Sequence, residues 1–91
     1  MRADTYYMLS FESTHEAIAA QRRFKDRVPV CVMPTLRAVQ AGCGISLRVE
    51  AQDAKKLKAA IPNGLEAGWR LFWVQGGAPV KIEAEDLYNL I

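Results

Sequence analysis

The two cysteines are the most reactive side chains of this sequence, and their settings differ. Cys43 lies between Gly42 and Gly44. Glycines at such a position let the backbone turn sharply and leave the sulfur open to a bulky partner. Because a thiol used in transfer chemistry must be accessible and readily deprotonated, Cys43 is the candidate nucleophile. The alternative is a small apolar side chain at a tight turn.

Cys31 lies in a short β-branched segment, which indicates a packing role in a strand or the core. If residues 31–34 pair with residues 43–46 in a hairpin, Cys31 faces Ser46. The two cysteines are then offset by about 10 Å along the strands, whereas a disulfide requires Cα atoms within about 7 Å. The sequence therefore disfavours an internal disulfide and a resolving-cysteine mechanism.

Three basic or titratable residues are candidates to support a thiolate at Cys43. Arg37 and Arg48 lie near it in the chain, and their charge would favour the deprotonated thiol. His15, the single histidine, lies in the first turn of a predicted helix. There it is either a hydrogen-bond donor or proton shuttle for the thiol, or an ordinary surface residue. One histidine and two separated cysteines do not form the usual four-ligand zinc site, so we expect no metal.

The elements that must position these residues follow the order β-α-β-β-α-β, with a tail. The predicted strands are residues 5–11, 28–33, 45–50 and 69–75, and the predicted helices are residues 14–26 and 51–61. Ser13 and Glu16 form a capping box before the first helix. The tail should hold a short extended piece from Ala78 and a turn or two of helix from Glu83. This order is typical of an α+β, ferredoxin-like split sandwich with spatial strand order 4-1-3-2. The alternative is another order of the same strands.

In that topology, Cys43 lies at the same edge of the domain as Ser13. The first strand and the first helix meet at this edge, and the loop that holds Cys43 returns to it. A helix N-terminus favours an anion nearby. A thiolate or persulfide on Cys43 is the candidate anion, so we expect the thiol to have a pKa below the free-cysteine value of about 8.5.

The sheet face opposite the helices is predicted to be covered. The first and fourth strands carry large apolar residues on both sides, whereas an open antiparallel face is usually more polar. A large exposed apolar patch marks an interface. The cover would be the tail, through Leu87, Leu90 and Ile91, or a second subunit in a homodimer.

Composition places the chain among small globular proteins. We expect one domain over residues 1–91, with a core over 5–75 and a C-terminal extension over 76–91. The formal charge of +2 is too small to indicate a nucleic-acid binder. No apolar run is long enough for a membrane span, and no signal peptide or cofactor-binding motif is visible. A cytoplasmic protein without a nucleic-acid, membrane or cofactor partner is expected.

Two blocks of the sequence resemble the Se/S carrier protein-like family of small bacterial proteins. The residues Tyr-Tyr-Met-Leu at 6–9, followed by Phe-Glu-Ser-Thr-His at 11–15, are similar to the opening of that family. Pro34, Arg37, Cys43-Gly44 and Leu47-Arg48 resemble its proline- and arginine-bearing loop, which leads into Cys-Gly and a strand. Together the blocks cover residues 5–50.

The resemblance implies carriage of sulfur or selenium, as a persulfide or a selenium adduct, on Cys43. The implied partners are a cysteine desulfurase or selenocysteine lyase-type enzyme and an unknown acceptor, so the chain would not be an enzyme on its own. The accompanying binding candidates are His15, Ser13, Arg37, Gly44 and Arg48. Two alternatives stay open. One is a non-catalytic interaction or small-ligand-binding module with an incidental cysteine, and the other is a thiol oxidoreductase, which the lack of a C-x-x-C motif disfavours.

Overall fold

The computed structural model describes residues 4–39 and 44–89, with side chains as far as Leu87. The strands are β1 (Thr5–Ser10), β2 (Cys31–Pro34), β3 (Ile45–Glu50), β4 (Arg70–Gln75) and β5 (Ala78–Ile82). The helices are α1 (Thr14–Phe24), α2 (Ala54–Ala60) and α3 (Asp86–Asn89), and a 3₁₀ turn (Ala51–Asp53) leads into α2. The predicted α+β class is confirmed, and the predicted extended piece and short helix of the tail are β5 and α3.

The five strands form one antiparallel sheet in the order β2-β3-β1-β4-β5. The four strands predicted from the sequence lie in the predicted relative order, and β5 is added outside β4. Gly76 and Gly77 connect β4 to β5 with φ values of 58° and 80°. Two consecutive positive φ values are the geometry of a tight hairpin turn, which glycine adopts without strain.

The predicted pairing of β2 with β3 is wrong by two residues. Pro34 pairs with Ile45 and Cys31 pairs with Arg48, whereas the prediction placed Cys31 opposite Ser46. β2 also begins at Cys31 rather than at residue 28, because the Val28 amide still donates to the Phe24 carbonyl at 3.0 Å as the chain leaves α1. A two-residue shift keeps each side chain on its predicted face, and Cys31 is half-buried on an edge strand.

One half of the predicted capping box of α1 is confirmed, because Ser13 Oγ accepts from the Glu16 amide at 3.2 Å. The other half is wrong, because the Glu16 carboxylate accepts from the Glu12 amide instead of the Ser13 amide. The helix ends at Phe24, two residues earlier than predicted. Its buried side is a narrow stripe of Ala17, Ala20 and Phe24. Complete burial of Phe24 contributes about 2–3 kcal/mol, and the two alanines leave room for the helix to pack closely on its neighbours.

The main core lies between the helices and one face of the sheet. Its buried members include Tyr7, Leu9, Leu47, Val49 and Leu71 from the strands, Ala17, Ala20 and Phe24 from α1, and Ala54, Leu57 and Ala60 from α2. Leu87 of α3 belongs to the same cluster and is fully buried. The described part of the tail therefore packs on the helical side of the sheet.

The opposite face is covered by the loop that follows β2. Tyr6, Met8, Phe72 and Val74 form a second buried cluster with Val39 of this loop, and Leu36 and Met33 pack against it. A turn closed by the Val39 amide and the Leu36 carbonyl, 2.9 Å apart, holds the two loop side chains in place.

The prediction that this face is covered is confirmed, but the prediction that Leu87 belongs to the cover is wrong. The loop supplies it within the chain, whereas Leu87 lies in the other cluster. Leu90 and Ile91 lie outside the described residues. The homodimer predicted through this face stays a prediction.

Candidate functional site

Cys43 lies outside the described residues, so its predicted accessibility, reactivity and lowered pKa stay predictions. The structure does place its neighbour Gly44. The Gly44 carbonyl accepts from the Thr35 amide at 2.9 Å, directly beyond the pairing of Pro34 with Ile45. Gly44 is exposed, and a Cβ added to it would meet no atom within 4 Å. The chain therefore enters β3 at a fixed point, and no described residue crowds the position of a Gly44 Cβ.

Gly44 and the beginning of α1 lie at the same end of the sheet, where β1 ends and β3 begins. Ser46 pairs with Ser10, so β3 begins where β1 ends. The chain then reaches the Ser13 cap three residues after Ser10. The predicted topology puts the loop that holds Cys43 at this end of the sheet. The position of Cys43 itself relative to Ser13 stays a prediction.

The first turn of α1 already carries a carboxylate at its positive end. The Glu16 carboxylate accepts from the Glu12 amide at 3.2 Å, while the Glu16 amide donates to Ser13 Oγ. An acidic side chain in this position stabilises the helix. His15 is exposed in the same turn. An additional anion at this end of the sheet would share the positive N-terminus of α1 with the Glu16 carboxylate. The Ser13 hydroxyl is already used to cap the helix.

Arg37 lies at the surface of the loop that covers the sheet. It is exposed, and it follows Leu36 directly in the turn that ends at Val39. The apolar side chains of this turn pack on the sheet face while the guanidinium group reaches solvent. Arg37 is thus a cation on the segment that leads to Cys43.

Arg48 is engaged within the sheet. Its Nε donates to Glu50 at 2.6 Å and its Nη2 donates at 3.2 Å, and the guanidinium carbon lies 3.9 Å from the ring centre of Tyr6. The hydrogen bonds to Glu50 raise the pKa of Arg48. Arg48 lies opposite Cys31 and about 13 Å along the strand from Gly44. The predicted role of Arg48 at Cys43 stays a prediction.

Two hydroxyl groups near Gly44 form a hydrogen bond, and a third lies on the neighbouring strand; the sequence pattern did not single out Thr35, Ser46 or Ser10. Thr35 Oγ1 and Ser46 Oγ are 2.7 Å apart, and Ser10 pairs with Ser46 across the strands. Ser10 and Ser46 are buried at 1% and 0% exposure, and Ser10 Oγ has no hydrogen-bond partner among the described residues. The available signal was Ser10 itself, a small polar residue that directly follows the large side chains of residues 6–9 in β1.

Across residues 4–39 and 44–89, no three His, Cys, Asp or Glu side chains come together in a group that could hold a metal ion. Within the same residues, no helix is both long and apolar enough to cross a bilayer.

The geometry defines a small α+β protein with a five-stranded antiparallel sheet, in which Gly44 leads into β3. A family model described as "Putative Se/S carrier protein-like" matches residues 6–67, which is well over half of the chain. The protein belongs to this family, and the resemblance seen in the sequence is confirmed. No curated protein sequence and no solved structure matches the chain.

Proposed function

We propose that the protein carries sulfur or selenium on Cys43. The observation that carries the proposal is the family match over residues 6–67, which includes this cysteine. The local structure supports it, because the segment that contains Cys43 is held on both sides. Val39 is buried at 9% exposure before it, and Gly44 is hydrogen-bonded to Thr35 after it.

The chemistry is an exchange between sulfur atoms. The Cys43 thiolate attacks the outer sulfur of a persulfide on the donor protein. A new S–S bond forms at Cys43, the S–S bond of the donor breaks, and the donor cysteine leaves as a thiolate. Transfer to an acceptor thiolate repeats the step with Cys43 as the leaving group. The exchange needs a lowered thiol pKa and an accessible sulfur, but no cofactor.

We propose that the fold that positions this site is the ferredoxin-like split sandwich, with β5 added to its sheet. The helices pack on one face, and the loop leading to Cys43 packs on the other through Leu36 and Val39. The donor in this proposal is a cysteine desulfurase or a selenocysteine lyase-type enzyme. We place the exchange in the cytoplasm, where thiols stay reduced.

A sulfur-transfer assay tests the proposal. The protein is incubated with radiolabelled L-cysteine and each cysteine desulfurase encoded by the same genome, and protein-bound label is measured without reductant. The wild type and the matched control Cys31→Ser should retain label that dithiothreitol releases, and Cys43→Ser should retain none. Equal labelling of Cys43→Ser would overturn the proposal. A parallel reaction with a selenocysteine lyase and labelled selenocysteine distinguishes selenium from sulfur.

A further inference from the structure

We propose that the free edge of β2 is a docking strip for an extended, acidic segment of the protein that donates sulfur to Cys43. The inference rests on the proposed function for the identity of this partner. The strip consists of the β2 backbone and of two apolar clefts, one beside each end of β2. Its far end is at Gly44.

At Val32, the β2 backbone offers an N–H and a C=O that no described residue pairs with along this edge. β2 is the outermost strand next to β3. The Thr35 amide bonds to the Gly44 carbonyl, and in an antiparallel ladder alternate residues point toward the partner strand. Val32, three residues before Thr35, therefore directs its N–H and C=O away from β3. Val32 is 49% exposed as a residue and lies on the outer strand, so an incoming strand can reach this position.

The two edges of the sheet differ in how they receive another strand. At the other edge, β5 carries the exposed Lys81, and a lysine on an edge strand opposes strand addition. On β2, only Pro34 at the strand's end lacks an N–H. Pairing with β2 is therefore limited to a short segment rather than excluded.

Two apolar clefts flank the exposed backbone. One, of about 240 Å³, is lined by Val32, Met33, Pro34, Gly44 and Ile45. The other, of about 350 Å³, is lined by Gln21, Arg22, Lys25, Val28, Pro29 and Val30. In strand addition, backbone hydrogen bonds supply affinity and side-chain pockets supply specificity. From Val30 to Pro34 the strip spans about 13 Å, which corresponds to about five extended residues.

The charge of the second cleft identifies the chemistry of the occupant. Arg22 and Lys25 are both exposed on its rim, whereas the neighbouring Arg23 is paired with Glu66. Two cations beside an apolar floor fit a segment with an acidic residue at this end and an apolar residue at the Gly44 end. A second copy of β2 does not supply this pattern, because β2 contains no acidic residue.

The first experiment measures docking without requiring transfer. Amide hydrogen exchange of Val32 is followed before and after addition of each cysteine desulfurase encoded by the same genome. The outward amide should exchange at least about twofold more slowly in the complex, because one hydrogen bond contributes about 0.5–1.5 kcal/mol. Protection without sulfur transfer supports the docking strip and contradicts the carrier function. No protection with any of these enzymes overturns the docking strip.

The second experiment uses variants of the strip. Val32→Pro removes the outward N–H, and its control Lys81→Pro makes the same change on β5. Arg22→Gln with Lys25→Gln removes two charges, and Lys55→Gln with Lys81→Gln is the control of equal charge. Each strip variant should lower kcat/KM for sulfur transfer about three- to tenfold, and added salt should shrink the effect of the charge variant.

Far-ultraviolet circular dichroism identifies any variant that does not fold. The charge variants change only exposed side chains, so they keep the test valid if Val32→Pro fails to fold. Transfer rates that are equal in the strip variants and their controls would overturn the docking strip while leaving the carrier function intact.

Discussion

Val39 should stabilise the protein by covering the sheet face opposite the helices. The substitution Val39→Ala removes two methyl groups from a side chain that is 9% exposed and belongs to the second buried cluster. At about 0.8 kcal/mol per buried carbon, the expected loss in the free energy of unfolding is about 1.5 kcal/mol. Incomplete collapse of the loop onto Tyr6 and Phe72 would increase the loss.

Urea unfolding followed by tryptophan fluorescence measures this loss. For a chain of this size, m is about 1–2 kcal/mol/M, so the midpoint should fall by about 1 M with m unchanged. Val80→Ala is the matched control, because it is the same chemical change at a side chain that is 58% exposed. Its effect should be within about 0.5 kcal/mol. If the two variants had equal midpoints, the loop would not cover the face, and the account of the segment leading to Cys43 would be wrong.

Three further predictions concern buried hydroxyls and the two thiols. Ser10→Ala should raise the free energy of unfolding by about 1 kcal/mol, because the buried Ser10 hydroxyl has no hydrogen-bond partner among the described residues. Ser46→Ala should lower the free energy of unfolding, because it removes the hydrogen bond to Thr35. Destabilisation by Ser10→Ala would contradict the first prediction and reveal a hydrogen-bond partner of Ser10. Burial raises the pKa of Tyr7 above 10.0, so the unfolded chain loses this proton first and stability should fall as the pH rises past 10. Tyr7→Phe should make that fall smaller in urea titrations at several pH values, and an unchanged slope would contradict the shift. Limited alkylation of the native protein should modify Cys43 before Cys31, and the reverse order would overturn the site assignment.

The fold was largely predictable because its signals are local. The alternation of apolar and polar residues in 45–50 predicts β3, and Ser13 with Glu16 predicts the start of α1. The element order then leaves few topologies, and the observed sheet contains the predicted strand order. The pairing of β2 was not predictable to the residue, since shifts by two residues preserve the same faces.

The cover of the second face depended on contacts between distant residues. The apolar residues on both sides of β1 and β4 show that the second face of the sheet must be covered by other apolar side chains. Leu36, Val39 and Leu87 are all apolar, so residue type alone does not show which of them lie on this face. Only the folded chain shows Val39 on this face and Leu87 on the other. The same holds for Arg48, since its proximity to Cys43 in sequence does not reveal its pairing with Glu50.

Locating the transferred sulfur tests the central claim most directly. After incubation with L-cysteine and a cysteine desulfurase, the protein is alkylated, digested and analysed by mass spectrometry of its peptides. The account predicts one additional sulfur atom on the peptide that contains Cys43 and none on the peptide that contains Cys31. Additional sulfur on Cys31 alone, or on neither peptide after loading by every desulfurase of the same genome, would contradict it.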